Sequence, residues 1–319
     1  MHPIVGRTIL RATKLRRRMR GPLRRSWSPE TEAYSRFLHH YSRRSLWIPL
    51  DWQRKALGSM VPAKPPRGVE FERFQIGSVG AAWLTPEGAD HDRVLVYLHG
   101  GGYLLGSIDS HRHAVSRFAA AAGMRTLLID YRLAPEHPFP AGLEDAVATW
   151  RWLLDQGVDP KRAAIAGESA GGGLTMATLL SLRDRDLPMP GAAAVLSPWV
   201  DLTLSGGTLV TNDRFDFVPR HVLRSYAKQY AGGVDRSDPL LSPVLADLSG
   251  LPPLLIQAGE AETLLDDSRT LHERAVAAGT EATLTVFPDS IHAFMLMPHM
   301  PHHGDAVREL AAHLRSHTS

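Results

Sequence analysis

One stretch, Ala163-Ala164-Ile165-Ala166-Gly167-Glu168-Ser169-Ala170-Gly171-Gly172-Gly173, most limits what this chain can fold into. A short apolar run leads into Gly167-Glu168-Ser169-Ala170-Gly171, and a helix-like run from Leu174 to Leu182 follows. Gly-x-Ser-x-Gly between a strand and a helix is a nucleophile elbow. The chain reverses so sharply there that the serine is held strained, with its hydroxyl projecting at the helix N-terminus. Small neighbours at Gly167 and Gly171 let strand and helix close up. The same pattern also occurs in plain loops, so the reading needs partners elsewhere in the chain.

The surrounding sequence predicts a matching architecture. Val69, Phe71, Phe74 and Ile76, then Val79, Ala81 and Trp83, repeat with period two and predict a hairpin turning near Gly77-Ser78. Apolar runs at 94–98, 126–129, 163–166, 192–196, 254–257 and 283–287 then alternate with helical stretches at 111–122, 142–156, 174–183 and 266–278. Runs this apolar suit strands buried on both faces. Their alternation with helices describes an α/β fold, a mainly parallel sheet with helices on both sides. Two regions stand outside that rhythm. Residues 1–65 read as a basic arm and helices, with Ser28-Pro29-Glu30 as a helix start. The proline-rich Val61–Arg67 marks the boundary with a domain over 66–319. The second region, about 201–238, has no strand-like run but a helical stretch from Val218 to Tyr230. Long excursions between strands are usually functional, and this one is expected to join the N-terminal helices as a cap.

Composition narrows the chemistry. The 319 residues contain no cysteine, which excludes disulfides, thiolate chemistry and Cys-ligated zinc. Between charged residues, no apolar run approaches the ~20 residues of a membrane span. The net charge of +3 hides a division: nine basic residues lie between Arg7 and Arg25, and the first acid is Glu30. That leader lacks the apolar core of a secretory signal, so it is expected to be a solvated, partly disordered or helical arm on an acidic, soluble, cytoplasmic protein. No membrane span and no nucleic-acid partner are expected, and self-association is left open.

A serine hydroxyl becomes a nucleophile only when a base takes its proton and an acid orients the base. Downstream of Ser169, the run ending at Gln257 opens onto Glu260, Glu262, Asp266 and Asp267. The last apolar run, ending at Phe287, is followed by Asp289-Ser290-Ile291-His292. Serine, acid and histidine therefore occur in an order that suits one sheet edge. His299, His302 and His303 lie past Met295-Leu296-Met297-Pro298 and read as surface loop. His99-Gly100-Gly101-Gly102-Tyr103 follows another strand, and the Gly101, Gly102 and Ala170 amides are candidates for binding a developing oxyanion. A dinucleotide loop is excluded because Gly-x-Gly-x-x-Gly and its distal carboxylate are absent.

Taken together, His99–Tyr103, Asp130-Tyr131-Arg132-Leu133-Ala134-Pro135-Glu136-His137-Pro138-Phe139-Pro140-Ala141 and Gly167–Gly172 resemble the signature blocks of the bacterial hormone-sensitive-lipase-like esterases. The resemblance covers roughly residues 70 to 315. It implies an α/β-hydrolase fold with an eight-stranded sheet and a helical cap, a Ser–acid–His triad, and neither metal nor cofactor. Carried over, Ser169 is the nucleophile, His292 the general base, and Gly101, Gly102 and Ala170 the oxyanion donors. The acid position holds Glu262 where the family usually has aspartate, with Asp266 as its competitor. Glu168 also replaces a common aspartate, a change expected to be harmless. Pocket candidates are Tyr103, Leu104, Trp199, Phe215, Phe217 and Met295. Glu136 is expected to pair with Arg132 or a nearby amide, His99 to orient the glycine loop, Asp145 and Asp201 to be internal partners, and Glu260 and Asp267 to be solvated. The activity implied is a serine carboxylesterase acting on small short- to medium-chain acyl esters. A lactone hydrolase on the same triad and a non-catalytic receptor-like binder are the alternatives.

Overall fold

Continuously buried strands, with side chains alternating between two covered faces, organise the centre of the molecule. In the computed structural model, which describes residues 3–59 and 66–319, Leu95 and Tyr97 pack on one face of the sheet, and Val94, Val96 and Leu98 on the other. Both faces are thus apolar and both must be covered.

In chain order the elements are helices α1 (Pro3–Arg20), α2 (Pro29–Ser42) and α3 (Leu50–Ser59), then strands β1 (Val69–Ile76), β2 (Val79–Pro86) and β3 (Asp90–Leu98). Next come α4 (Ile108–Ala122), β4 (Met124–Asp130), α5 (Ala141–Asp155), β5 (Ala163–Glu168), α6 (Ala170–Asp184) and β6 (Ala192–Leu196). After the short α7 (Thr208–Thr211) and α8 (Arg220–Ala231) follow β7 (Leu254–Gly259), α9 (Leu265–Ala277), β8 (Ala282–Phe287) and α10 (His303–His317). The sheet has eight strands in the order β1-β2-β4-β3-β5-β6-β7-β8. β2 runs antiparallel to β1 and β4, and every pairing from β4 to β8 is parallel, with Leu95 opposite Thr126 on one side and Ala164 on the other. Helices α4 and α10 cover the Leu95/Tyr97 face, and α5, α6 and α9 the other.

The helix start at Ser28 is as the sequence predicts: its hydroxyl accepts the Thr31 amide, and Pro29 is the first helical residue. Of the forms expected for the basic arm, it takes the helical one, α1, and packs one side on α2, with Thr13 buried and Arg17 bound to Glu32 at 2.8 Å. Most of the proline-rich boundary, Val61–Pro65, lies outside the described residues.

The N-terminal helices rest on loops at the C-terminal ends of the strands. Arg54 of α3 donates to the Leu104 and Ala134 carbonyls. From α2, Ser35 and His39 bond to the Phe215 and Asp216 carbonyls. Arg24 bridges Glu260 and Asp289, both at 2.8 Å, and the Trp27 indole donates to the Asp289 carbonyl.

Candidate active site

β5 ends at Glu168 and α6 begins at Ala170, leaving one residue for the reversal. Ser169 takes it with φ 56° and ψ −122°, a conformation L-residues avoid. The Trp199 amide donates to the Ser169 carbonyl, and the Ser169 amide to the Leu196 carbonyl, so neighbouring segments hold the bend. A Cβ at Gly171 would overlap the carbonyls of Leu98 and His99, so only glycine lets the first turn of α6 sit against the glycine loop.

His292 lies in the loop after β8, and its Nε2 is 2.9 Å from Ser169 Oγ. Its Nδ1 faces Glu262 Oε2 at 3.9 Å. That is longer than a hydrogen bond, although such contacts commonly tighten only when substrate binds. Nδ1 has no hydrogen-bond partner among the described residues, and neither has Glu262 Oε1. Asp266 is turned elsewhere, accepting the Thr208 amide and meeting Arg269. Around the glycine loop, the Gly101 and Gly102 amides donate to no protein group among the described residues, nor does that of Ala170. Ser169, Gly101 and Gly102 are partly exposed amid buried neighbours, so hydroxyl and amides open toward solvent together.

Burial lowers the His292 pKa below its ordinary value, opposed by the Asp216 and Glu168 charges, which keeps the imidazole neutral and able to accept a proton. Burial likewise pushes the Glu262 carboxyl well above the usual range. The Ser197 hydroxyl pulls it back, and the Asp216 charge adds to the push.

The chain resembles known esterases in sequence and fold. A model of the α/β-hydrolase fold matches residues 95–296. The chain is 43% identical to an acetyl-hydrolase of Streptomyces hygroscopicus, over 85% of this chain and 89% of that one. It is 36% identical to the carboxylesterase NlhH of Mycobacterium tuberculosis, over 72% and 78%. A crystal structure of an esterase from the bacterial hormone-sensitive lipase family superposes with a TM-score of 0.85 and 42% identity, covering 92% of this chain and 100% of that one. The chain belongs to the hormone-sensitive-lipase-like esterases, within the α/β-hydrolases. It is a carboxylic ester hydrolase.

Several residues of this esterase that sequence reasoning passed over hold the site together. Asp216, fully buried in the excursion after β6, accepts the Thr263 amide and hydroxyl on one oxygen and the His292 amide on the other. Ser197 donates to Glu262 at 2.6 Å and accepts the Ala293 amide. The acid loop and the histidine loop are therefore tied twice. Nothing in the local sequence marks Asp216, because its partners are 47 and 76 positions away.

Glu168 is not a passive substitute for aspartate. Its buried carboxylate receives the Tyr97 hydroxyl at 2.7 Å, His111 Nε2 at 2.8 Å and the Gly100 amide. Despite burial, the adjacent His111 cation draws the Glu168 pKa down, while the Glu168 charge raises that of His111. His99 stacks on both His111 and Tyr131, and burial beside the His111 cation holds it at about 3, so it is a neutral spacer under the glycine loop. Changing Glu168 to glutamine removes the counter-charge of His111 and gives Gly100 a weaker acceptor. The expected outcome is a stability loss of about 3 kcal/mol, as for a buried pair broken from one side. Thermal denaturation measures that loss, and a drop in kcat of about tenfold from a loosened glycine loop should accompany it.

Other expectations need correction. Asp267 is buried, not solvated: its carboxylate accepts the Val200 and Asp201 amides and sits well above the ordinary range because of burial. Glu136 pairs with Arg54, not Arg132, and those hydrogen bonds hold it at about 2. Arg132 binds Asp145 instead. Glu260 is half exposed, yet it is bound by Arg24. Of the pocket candidates, Tyr103, Leu104, Trp199 and Met295 are packed in the core, with Tyr103 stacked on Tyr230 of α8 at 3.7 Å. Phe215 is buried under Arg24 and Trp27. Phe217 alone of the six is partly exposed, and its ring lies 5.7 Å from that of His292.

Proposed function

We propose that this esterase hydrolyses short- to medium-chain acyl esters through an acyl-enzyme on Ser169. The observation that carries the reading is the 2.9 Å contact between Ser169 Oγ and His292 Nε2, the distance at which an imidazole takes a hydroxyl proton. Ser169 Oγ bonds to the ester carbonyl carbon as its proton passes to His292. The oxyanion is received by the Gly101, Gly102 and Ala170 amides. His292 returns the proton to the leaving alcohol as the C–O bond breaks. Water then repeats the sequence and frees the acid. Glu262 acts when His292 is cationic, its carboxylate facing the protonated ring across the 3.9 Å gap. Helices α1, α2 and α3 and the excursion 201–238 form the cap, with Phe217 at the acyl entrance. Names such as acetyl-hydrolase and ethyl acetate hydrolase among the relatives support small acyl groups. Turnover of a series of aryl esters from acetyl to decanoyl, with lactones alongside, tests this. The expected optimum lies at short chains, and activity confined to lactones would reverse the assignment.

The His292 environment also fixes a pH signature. A base must be neutral to act, and burial lowers the pKa of this one. The acid limb of kcat/KM should therefore have its midpoint below the ordinary imidazole value, with activity lost as pH falls through it. The Asp216 charge raises the His292 pKa, so Asp216→Asn should move the limb further toward acid, as pH–rate profiles of the two proteins would show.

A further inference from the structure

The N-terminal helical layer carries a charge for which the reaction has no use. Residues 1–59 hold 14 Lys and Arg against 3 Asp and Glu, whereas residues 60–319 hold 22 against 30. Much of the excess is on α1. Residues three and four apart share a helix face, so Arg7, Arg11, Lys14 and Arg18 form one stripe, and all four are exposed. Lys14 reaches Glu30 at 3.5 Å, but among the described residues no acid lies within ion-pair distance of Arg7, Arg11 or Arg18. Beside that stripe run Leu15 and Met19, 57% and 67% exposed. The opposite side of the helix, with Thr13 buried and Arg17 on Glu32, is the one that faces α2.

Apolar exposure follows the same division. Nine large hydrophobic side chains are exposed among the described residues, and Leu15, Met19, Leu46, Trp47 and Trp52 of this layer are five of them. Trp47 is 87% and Trp52 70% exposed, with exposed Arg43, Arg44 and Lys55 close in sequence. A layer that only needs solvation has no reason to expose leucine and methionine along α1 and tryptophans at 47 and 52. A surface combining cations with apolar side chains suits the headgroup boundary of an anionic lipid layer, where arginine meets phosphate, leucine enters the acyl edge and tryptophan is at home. A nucleic-acid backbone matches the charge but not the apolar half.

We propose that the outer face of α1, with the exposed side chains of its layer, docks this esterase on an anionic membrane surface. The layer is bonded to loops at the C-terminal ends of the strands, the edge that carries Ser169 and His292. Docking would therefore bring the ester site to where the less soluble acyl esters partition.

The test is flotation of the full chain with phosphatidylcholine vesicles containing about 30% phosphatidylglycerol, against phosphatidylcholine alone, at about 0.1 M salt. About tenfold more protein should float with the anionic vesicles, and about 0.5 M salt should release it. Leu15→Ser/Met19→Ser and Arg7→Gln/Arg11→Gln/Arg18→Gln should each lower binding about tenfold. Both variants should hydrolyse a dissolved short-chain ester at the wild-type rate, which separates a failure of docking from a failure of the catalytic assignment. Equal flotation on both vesicle types, or on neither, overturns the proposal. So does vesicle binding that ignores the Leu15/Met19 change while retardation of duplex DNA is lost with the arginine change, since the surface would then serve a nucleic acid.

Discussion

Replacing Ser169 by alanine should lower kcat on a chromogenic acetyl ester by about 10⁴–10⁶-fold while KM changes only a few-fold. Among the described residues Ser169 Oγ has one hydrogen-bond partner, His292, and its backbone is held by Leu196 and Trp199 whatever the side chain. Alanine at this bend therefore removes the nucleophile and leaves the fold and the amide pocket in place. The melting temperature should stay within a degree or two, because a single partly exposed hydroxyl is lost. What activity persists should come from water attacking an ester still held by Gly101, Gly102 and Ala170. A purified, folded variant keeping about a tenth of wild-type turnover would move the nucleophile to another residue, because no binding effect of this serine is that small and that specific.

The second large effect separates the two acids. Glu262→Gln should cost about 10³–10⁴ in kcat, while Asp266→Asn stays within about threefold. The carboxylate of Glu262 faces His292 Nδ1, whereas that of Asp266 serves the Thr208 amide and Arg269. An amide at 262 cannot balance the imidazolium formed when Ser169 gives up its proton, and it can hold the ring in the wrong tautomer. Stability should move the other way. The folded-state pKa of Glu262 is raised by burial, so the native protein loses stability as pH rises past the ordinary carboxyl range, where the unfolded chain ionises more readily. The glutamine variant escapes that cost, and its melting temperature at neutral pH should equal or exceed the wild type's. Loss of activity in Asp266→Asn with Glu262→Gln unaffected would reverse the assignment.

The Glu168 network and the N-terminal layer show why local reading had limits. Glu168 looks like a one-methylene variation beside a serine, yet it receives a buried cation, a tyrosine hydroxyl and the amide that begins the glycine loop. His111 and Tyr97, 57 and 71 positions upstream, give it that role, and their identities alone announce nothing. Arg24 likewise reads as part of a charged leader until the fold sets it against Glu260 and Asp289, with the Trp27 indole on the Asp289 carbonyl.

What the sequence by itself determined was whatever a short window can encode. A period-two hairpin and short continuous apolar runs specified the strands, and the alternation of those runs with helices specified a parallel sheet covered on both faces. Glycines at 167 and 171 permitted only a sharp bend at Ser169. Chain order then put His292 and the 260–267 carboxylates after later strands, at the same sheet edge. Tertiary structure decided which carboxylate faces the imidazole: Glu262 Oε2 lies 3.9 Å from His292 Nδ1, whereas the Asp266 carboxylate accepts the Thr208 amide. It decided that Asp267 and Asp216 are buried ties between loops, and that five of six pocket candidates are core. It also decided that the basic arm is a docked helix with one face left open. A residue's type shows which bonds it can make, but distance through space decides which of them it makes.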